Sequence, residues 1–259
     1  MVRNFGFVGL KDEKKASERA KVEFGKIFRE TDYLRGGEPY YAHILRLISP
    51  KKGSRLLDLG IGRGFFLKEA SSYSNSERLS LVLSGIDFCD DAFKAAKKEV
   101  PKASLRVADI QELPFKDESF DVVTCLGVIE HLVNPARGVR ESARVLKTGG
   151  VAVFTIPNVW HIQYRFCLMY PKFFVARVLN VLKLRKKKAM LVFQPIDRFY
   201  TAQEGKRLLE KNGLRVKYAE ALVSRREDFA VHKKFRNGVI PSWFYGWKSN
   251  FTLYVCEKK

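Results

Sequence analysis

Residues Arg55 to Phe66 read RLLDLGIGRGFF, and the interpretation of the chain turns on them. Arg55 to Asp58 has the make-up of a short buried strand, Gly60, Gly62 and Gly64 follow, and a helical pattern begins at Phe65. A strand, a glycine turn and a helix N-terminus together form a ligand cradle. Glycine permits positive φ and close approach of a ligand to the backbone, and N–H groups at a helix start favour polar or anionic ligand groups. A tight strand-to-helix turn can also use glycine for geometry alone, so the flanks decide. The spacing is G-x-G-x-G, not the G-x-G-x-x-G of dinucleotide sites, and Asp58 stands two residues before the first glycine. A carboxylate there repels a pyrophosphate and suits a cationic end such as an ammonium group.

Outward from this loop, Leu79 to Ile86 reads as a second buried strand that delivers Asp87 in the run GIDF. An acid at that strand tip can accept from both hydroxyls of a ribose, or it can cap the helix that starts near Asp90. The unit then repeats, with a helix from Ala92 to Glu99, a stop at Pro101, a strand from Ser104 to Val107, and Asp109 and Ile110 behind it. Asp109 could accept from an adenine amino group while Ile110 and Phe88 pack on the ring faces. FDVVTCL, Phe120 to Leu126, reads as a fourth strand followed by Gly127 to Leu132. Upstream, residues 11–31 place Ala16, Ala20, Phe24, Ile27 and Phe28 at helical spacing, and Tyr40 to Ile48 reads as a second helix stopped by Pro50 and Gly53. Arg35, Tyr40 and Tyr41 could reach over the ligand or simply pack at the turn.

With 259 residues and 46% apolar content, the chain can bury a full core, and one α/β domain with an added lobe is expected. There is no run of eighteen apolar residues, and the start MVRNFGFVGLKDEKKASERA does not resemble a secretory signal, so a cytoplasmic protein is expected. Cys89, Cys125, Cys167 and Cys256 form no C-x-x-C pair and read as buried small hydrophobes. His43, His131, His161 and His232 form no helical pair, and no metal is expected. The net charge is +20, and the excess lies in the second half, where residues 158–195 carry eight basic residues and no acid. That imbalance suits an anionic partner or acceptor, or a solvated basic surface.

The runs LDLGIGRG, GIDF and ADIQELPFKDESFDVVTCLGVIEHL, then RESARVLKTGG as a helix and VAVFTIPN as a strand, resemble the Rossmann-like S-adenosylmethionine-dependent methyltransferases over roughly Arg55 to Asn158. The resemblance implies an α/β fold, a seven-stranded and mostly parallel sheet with helices on both faces and an antiparallel last strand, and S-adenosylmethionine as cofactor. It places Asp58, Gly60, Ile61, Gly62 and Gly64 at the methionine part, Asp87 at the ribose, and Asp109 with Ile110 at the adenine, beside Phe88. It also places the Leu126 carbonyl near the methionine ammonium. Glu130 and His131 match a pair at the rim of the site, where His131 acts either as an acceptor-facing base or through an ordering hydrogen bond.

Asp197 to Val216 resembles the same family's return to the sheet, with a helix opened by Thr201 and stopped at Gly213, and Asn250 to Cys256 alternates as the final strand. Three segments are therefore expected: 1–157 with the N-terminal helices and the cofactor half, 158–195 as a basic helical insertion or lid, and 196–259 completing the sheet. Residues 224–247 read as an insertion at the sheet edge. The 158–195 insertion can be a packed accessory helix, an interfacial helix on an anionic bilayer or lipid-like substrate, or an RNA-contacting edge. The expected activity is methyl transfer to an oxygen, nitrogen or carbon nucleophile of a small or lipid-like acceptor. An RNA methyltransferase and a non-catalytic S-adenosylmethionine-binding regulator are the rival readings.

Overall fold

Apolar side chains alternate across the strands because successive residues face opposite sides of a sheet. Leu57 and Leu59 enter one core and Leu56 the other, so the central strand is buried on both faces. In the computed structural model, which describes residues 3–6, 13–30, 40–159, 196–222 and 251–259, this pattern builds one seven-stranded sheet between two helical layers. The elements are β1 (Arg3–Gly6), α1 (Glu13–Glu30), α2 (Tyr41–Ile48), β2 (Arg55–Leu59), α3 (Phe65–Ser76), β3 (Val82–Asp87), α4 (Asp90–Glu99) and β4 (Ser104–Val107). They continue with β5 (Phe120–Leu126), α5 (Pro135–Val145), β6 (Leu146–Pro157), β7 (Ile196–Phe199), α6 (Ala202–Lys211), β8 (Leu214–Leu222) and β9 (Phe251–Lys258).

The strand order is β4-β3-β2-β5-β6-β9-β8. Strands β2 to β6 pair in parallel, and β9 runs antiparallel to both of its neighbours. This is the seven-stranded arrangement the sequence implies, with the last strand reversed. From β2 the chain moves outward to β3 and β4, then returns to the other side of β2 as β5. The carboxyl ends of β2 and β5 therefore open a crevice where the winding reverses, the usual ligand position in such sheets.

Two helix starts are encoded locally. Thr201 accepts from the Glu204 N–H while the Glu204 carboxylate accepts from the Thr201 N–H, a reciprocal capping box of about 1 kcal/mol. Asn134 caps α5 ahead of Pro135 by accepting from the Arg137 N–H.

The structure corrects three boundaries. The second strand begins at Val82 and not at Leu79, because Arg78 and Ser80 take left-handed φ of 54° and 53° and turn the chain first. RESARVLKTGG is not one helix, since α5 ends at Val145 and Leu146 already pairs with Phe120 in the sheet. The pairing of β1 with β7 in a separate two-stranded ribbon has no counterpart in the sequence reading. Cys89, Cys125 and Cys256 are buried as expected. The expected lid over 160–195, the edge insertion over 224–247, Arg35 and Cys167 lie outside the described residues. Among the described residues no helix is long and apolar enough to cross a membrane, and no cluster of metal-ligating side chains occurs.

Candidate active site

The glycine loop is shaped by three residues in left-handed backbone, Gly60 (φ 76°), Gly62 (51°) and Gly64 (80°). At Gly60 a Cβ would stand 2.5 Å from Cγ2 of Val128, so the glycine is required by space as well as by φ. The loop is stitched inward. Gly60 and Ile61 both donate to the Ile86 carbonyl (2.8 and 3.0 Å), Gly64 donates to the Ile61 carbonyl, and Gly62 donates to Oδ2 of Asp87 at 3.0 Å. The sequence reading assigned polar or anionic ligand groups to the N–H groups at the start of the helix, which begins at Phe65 beyond these residues. The four loop N–H groups are engaged within the protein, so at these positions the loop offers shape instead of donors.

Three acids read from successive strand ends line one cavity, Asp58 from β2, Asp87 from β3 and Asp109 from beyond β4. Asp58 is buried, and its Oδ1 accepts from Thr124 Oγ1 at 2.7 Å. Burial pushes its pKa up to about 7, with the Thr124 hydrogen bond opposing and the nearby Asp87 adding. Asp87 is buried too, and burial raises it to about 6 against N–H bonds from Cys89, Gly62 and Phe88. Asp87 is not the N-cap of α4. That position is Cys89, whose N–H donates to Asp87 Oδ1 at 2.9 Å, so Asp87 pins the glycine loop and the start of α4 together. No lysine, arginine or histidine among the described residues lies within ion-pair distance of Asp58 or Asp87. Asp109 is differently placed: it accepts from Ser17 Oγ at 2.9 Å and from the backbone and side-chain amides of Gln111. Ile110 is buried beside it, and Phe88 faces the same cavity.

The same cavity is lined by Leu126, Gly127, Val128, Glu130 and His131. His131 Nδ1 lies 2.7 Å from the Ile196 carbonyl in β7. A carbonyl can only accept, so Nδ1 carries the proton and Nε2 carries the lone pair. Burial lowers the His131 pKa to about 4, the Ile196 contact opposes this and Arg198 adds to it, so the ring is neutral at pH 7. Arg198 itself donates to the Leu132 and Val133 carbonyls, which clamps β7 over the turn that bears His131. The ribbon missed from sequence is therefore what fixes the imidazole. Glu130 is buried, with Oε1 3.7 Å from His131 Nε2.

Helix α1 covers this cavity, and Ser17, Ala20, Phe24 and Phe28 line it. The Phe24 ring lies 5.6 Å from that of Phe88 and 5.4 Å, edge-on, from the His131 ring, so one aromatic of α1 touches both. Lys21 pairs with Asp90 and Arg29 with Asp91, which fastens α1 to the start of α4. The helical spacing of Ala20, Phe24 and Phe28 is visible in the sequence, but spacing alone does not say whether the face meets a core or a ligand. Tyr40, Tyr41 and Arg63 also line the cavity.

A doubly wound sheet with a glycine loop at its switch point, and acids at consecutive strand ends, defines a nucleoside-binding α/β protein. Residues 57–154 match a family model described as a methyltransferase domain. The chain is 32% identical over 174 residues to an uncharacterized protein of Methanocaldococcus jannaschii, covering 65% of this chain and 64% of that protein. It is 31% identical over 132 residues to the ubiquinone biosynthesis O-methyltransferase of Alkalilimnicola ehrlichii, covering 49% of this chain and 51% of the relative. A solved S-adenosylmethionine-dependent methyltransferase of Methanosarcina mazei shares the fold with a TM-score of 0.59 and 19% identity, over 83% of this chain and 96% of that one. Residues 57–154 thus carry a methyltransferase domain on a Rossmann-like fold, and S-adenosylmethionine is the cofactor that such a domain implies. It spans about half to two thirds of the length of these curated relatives.

Proposed function

We propose that the protein transfers a methyl group from S-adenosylmethionine to an oxygen, nitrogen or carbon nucleophile of a small or lipid-like acceptor. The observation that carries the reading is that Asp58, Asp87 and Asp109 line one cavity together with the glycine loop and His131. The residues present fit the cofactor. Two buried carboxylates with raised pKa values and no cationic partner among the described residues call for a ligand that brings positive charge. An ammonium supplies it at Asp58, and ribose hydroxyls supply donors at Asp87.

S-adenosylmethionine brings a methyl group already activated on a sulfonium, so the protein's task is to position it and to exclude water. Asp58 holds the ammonium together with the Leu126 carbonyl, Asp87 accepts from the ribose hydroxyls, and Asp109, Ile110 and Phe88 form the adenine end. Gly60, Ile61, Gly62 and Gly64 let the amino-acid part lie against the backbone. His131 presents its Nε2 lone pair to the acceptor. A base with a pKa of about 4 takes little proton at neutral pH, so His131 orders the acceptor hydroxyl instead of deprotonating it. Glu130 lies behind it and sets the polarity of that end.

An RNA acceptor keeps the basic second half of the chain as its support. The cavity argues the other way, with four carboxylates against one guanidinium among the described side chains that line it. The test is transfer of labelled methyl from S-adenosylmethionine in a cell extract. Label entering the organic phase supports the proposal, label entering RNA replaces it with the RNA reading, and S-adenosylhomocysteine binding without any transfer leaves a cofactor-binding regulator. Anionic vesicles should also pellet the protein more strongly than neutral ones if residues 185–188, RKKK, approach a lipid surface, at about 1 kcal/mol per basic residue near it.

A further inference from the structure

Among the described side chains that line the cavity, four are carboxylates, Asp58, Asp87, Asp109 and Glu130, and the single permanent cation is Arg63. It stands inside the glycine loop, between Gly62 and Gly64, on the same turn that Asp58 leads into. Its guanidinium lies over the Phe28 ring of α1, 4.5 Å from the centroid. Its one hydrogen bond among the described residues is a long one, from Nη2 to the Phe28 carbonyl at 3.4 Å. Nε is buried and has no partner there. Other arginines of the fold meet carboxylates, as Arg29 meets Asp91, Arg144 meets Glu141 and Arg215 meets Glu257, whereas no carboxylate among the described residues pairs with Arg63. A half-buried guanidinium with an idle donor costs free energy unless an anion completes it.

We propose that Arg63 holds the carboxylate of the cofactor's amino-acid end, so that Asp58 and Arg63 read the two charges of one zwitterion. The inference rests on the methyltransferase reading above. Two further observations favour it. The N–H groups of Gly60, Ile61, Gly62 and Gly64 already donate within the protein, so at those positions no backbone donor remains for the carboxylate. The guanidinium also has a planar fork suited to a carboxylate, and its weak bond to the Phe28 carbonyl is easily exchanged for a charged one. Because Phe28 belongs to α1, the exchange would place the bound carboxylate directly beneath the helix that covers the cavity.

The test uses two ligands that differ only in this group, S-adenosylmethionine and its decarboxylated analogue, and reads binding by calorimetry instead of turnover. The wild-type protein should prefer the carboxylated ligand by about tenfold to hundredfold, the range expected for a charge-assisted hydrogen bond. Arg63→Gln should abolish that preference to within about threefold while its affinity for the decarboxylated analogue stays near wild type. Arg63→Lys should keep part of the preference, which shows that the loop is intact. If Arg63→Gln weakens both ligands equally, or neither, Arg63 is only a clamp on α1 and the proposal is overturned. If the wild-type protein binds neither ligand, the methyltransferase reading falls and takes this assignment with it.

Discussion

Asp58→Asn separates the stability of the sheet from the needs of the ligand. Asp58 is buried at the carboxyl end of the central strand, and burial raises its pKa from 3.8 to about 7. The native state thus holds this proton more tightly than the unfolded chain does. The stabilisation is fully present below about pH 4 and is lost as pH rises through about 7. At about 1.4 kcal/mol for each tenfold in proton affinity, the whole loss is about 4 kcal/mol, of which about 2–3 kcal/mol falls between pH 5 and pH 8. Asparagine has the same shape, keeps an oxygen for the Thr124 hydroxyl, and cannot ionise. Urea unfolding of wild type and variant at the two pH values should show the variant gaining about 2–3 kcal/mol relative to wild type on going to pH 8. Asp87 titrates in the same window and repels Asp58, so removing the Asp58 charge also eases ionisation of Asp87 and moves the difference in the same direction. S-adenosylhomocysteine, which keeps the ammonium, should nevertheless bind the variant about tenfold to hundredfold more weakly. A variant that is destabilised by the same margin at both pH values would refute the claim that the carboxylate is held against its desolvation.

Asp87→Ala removes the acceptor for the Gly62 and Cys89 N–H groups as well as the proposed ribose contact, so S-adenosylhomocysteine affinity should fall by about 1.5–3 kcal/mol in calorimetry. Unchanged affinity with lowered thermal stability would leave Asp87 as a loop pin alone. Gly60→Ala adds left-handed strain of about 1–2 kcal/mol and an overlap with Val128 of about 1–3 kcal/mol, so its melting temperature should drop by several degrees, and a neutral result would contradict the loop geometry. His131→Ala should slow turnover by about tenfold and not by the ~10²–10⁴ expected for loss of a general base. The wild-type rate should show no inflection near pH 6.5 from this residue, whose pKa lies near 4.

The parts of the fold that were legible are those encoded by neighbours in sequence. The glycine loop, the acids at strand tips, the Thr201 capping box and the Gly213 stop each reflect a local backbone requirement, and each lies where the spacing put it. The antiparallel last strand was legible because residues 250–256 alternate, and it spans Phe251–Lys258 in the sheet. What escaped depends on pairs distant in the chain. Four residues at the N-terminus pair with four near position 198, and so short a match carries no periodicity. The tautomer of His131 is set by a carbonyl 65 residues away, and Arg63 gains its meaning from the Phe28 ring 35 residues before it. Asp109 lines the cavity, as its place behind the third strand suggests, but its bond to Ser17 was not legible, since nothing in either segment announces the other.

The charge of the chain and the charge of the cavity have opposite signs, and that opposition bears on the acceptor. A net +20 acts at long range, through the aqueous surface, and falls off within about 8–10 Å at ordinary ionic strength. The cavity acts at contact, where burial weakens screening, and among the described residues its acids outnumber its one guanidinium. A polyanion would be drawn to the surface and resisted at the reacting end, unless only a neutral portion enters. An acceptor with an uncharged reacting head and an anionic or membrane-bound remainder meets both fields favourably, because its head passes the carboxylates while the rest stays with the lysines. On the proposed function, the basic residues would bear on how an acceptor is delivered, and Asp58, Asp87 and His131 on what is held at the site.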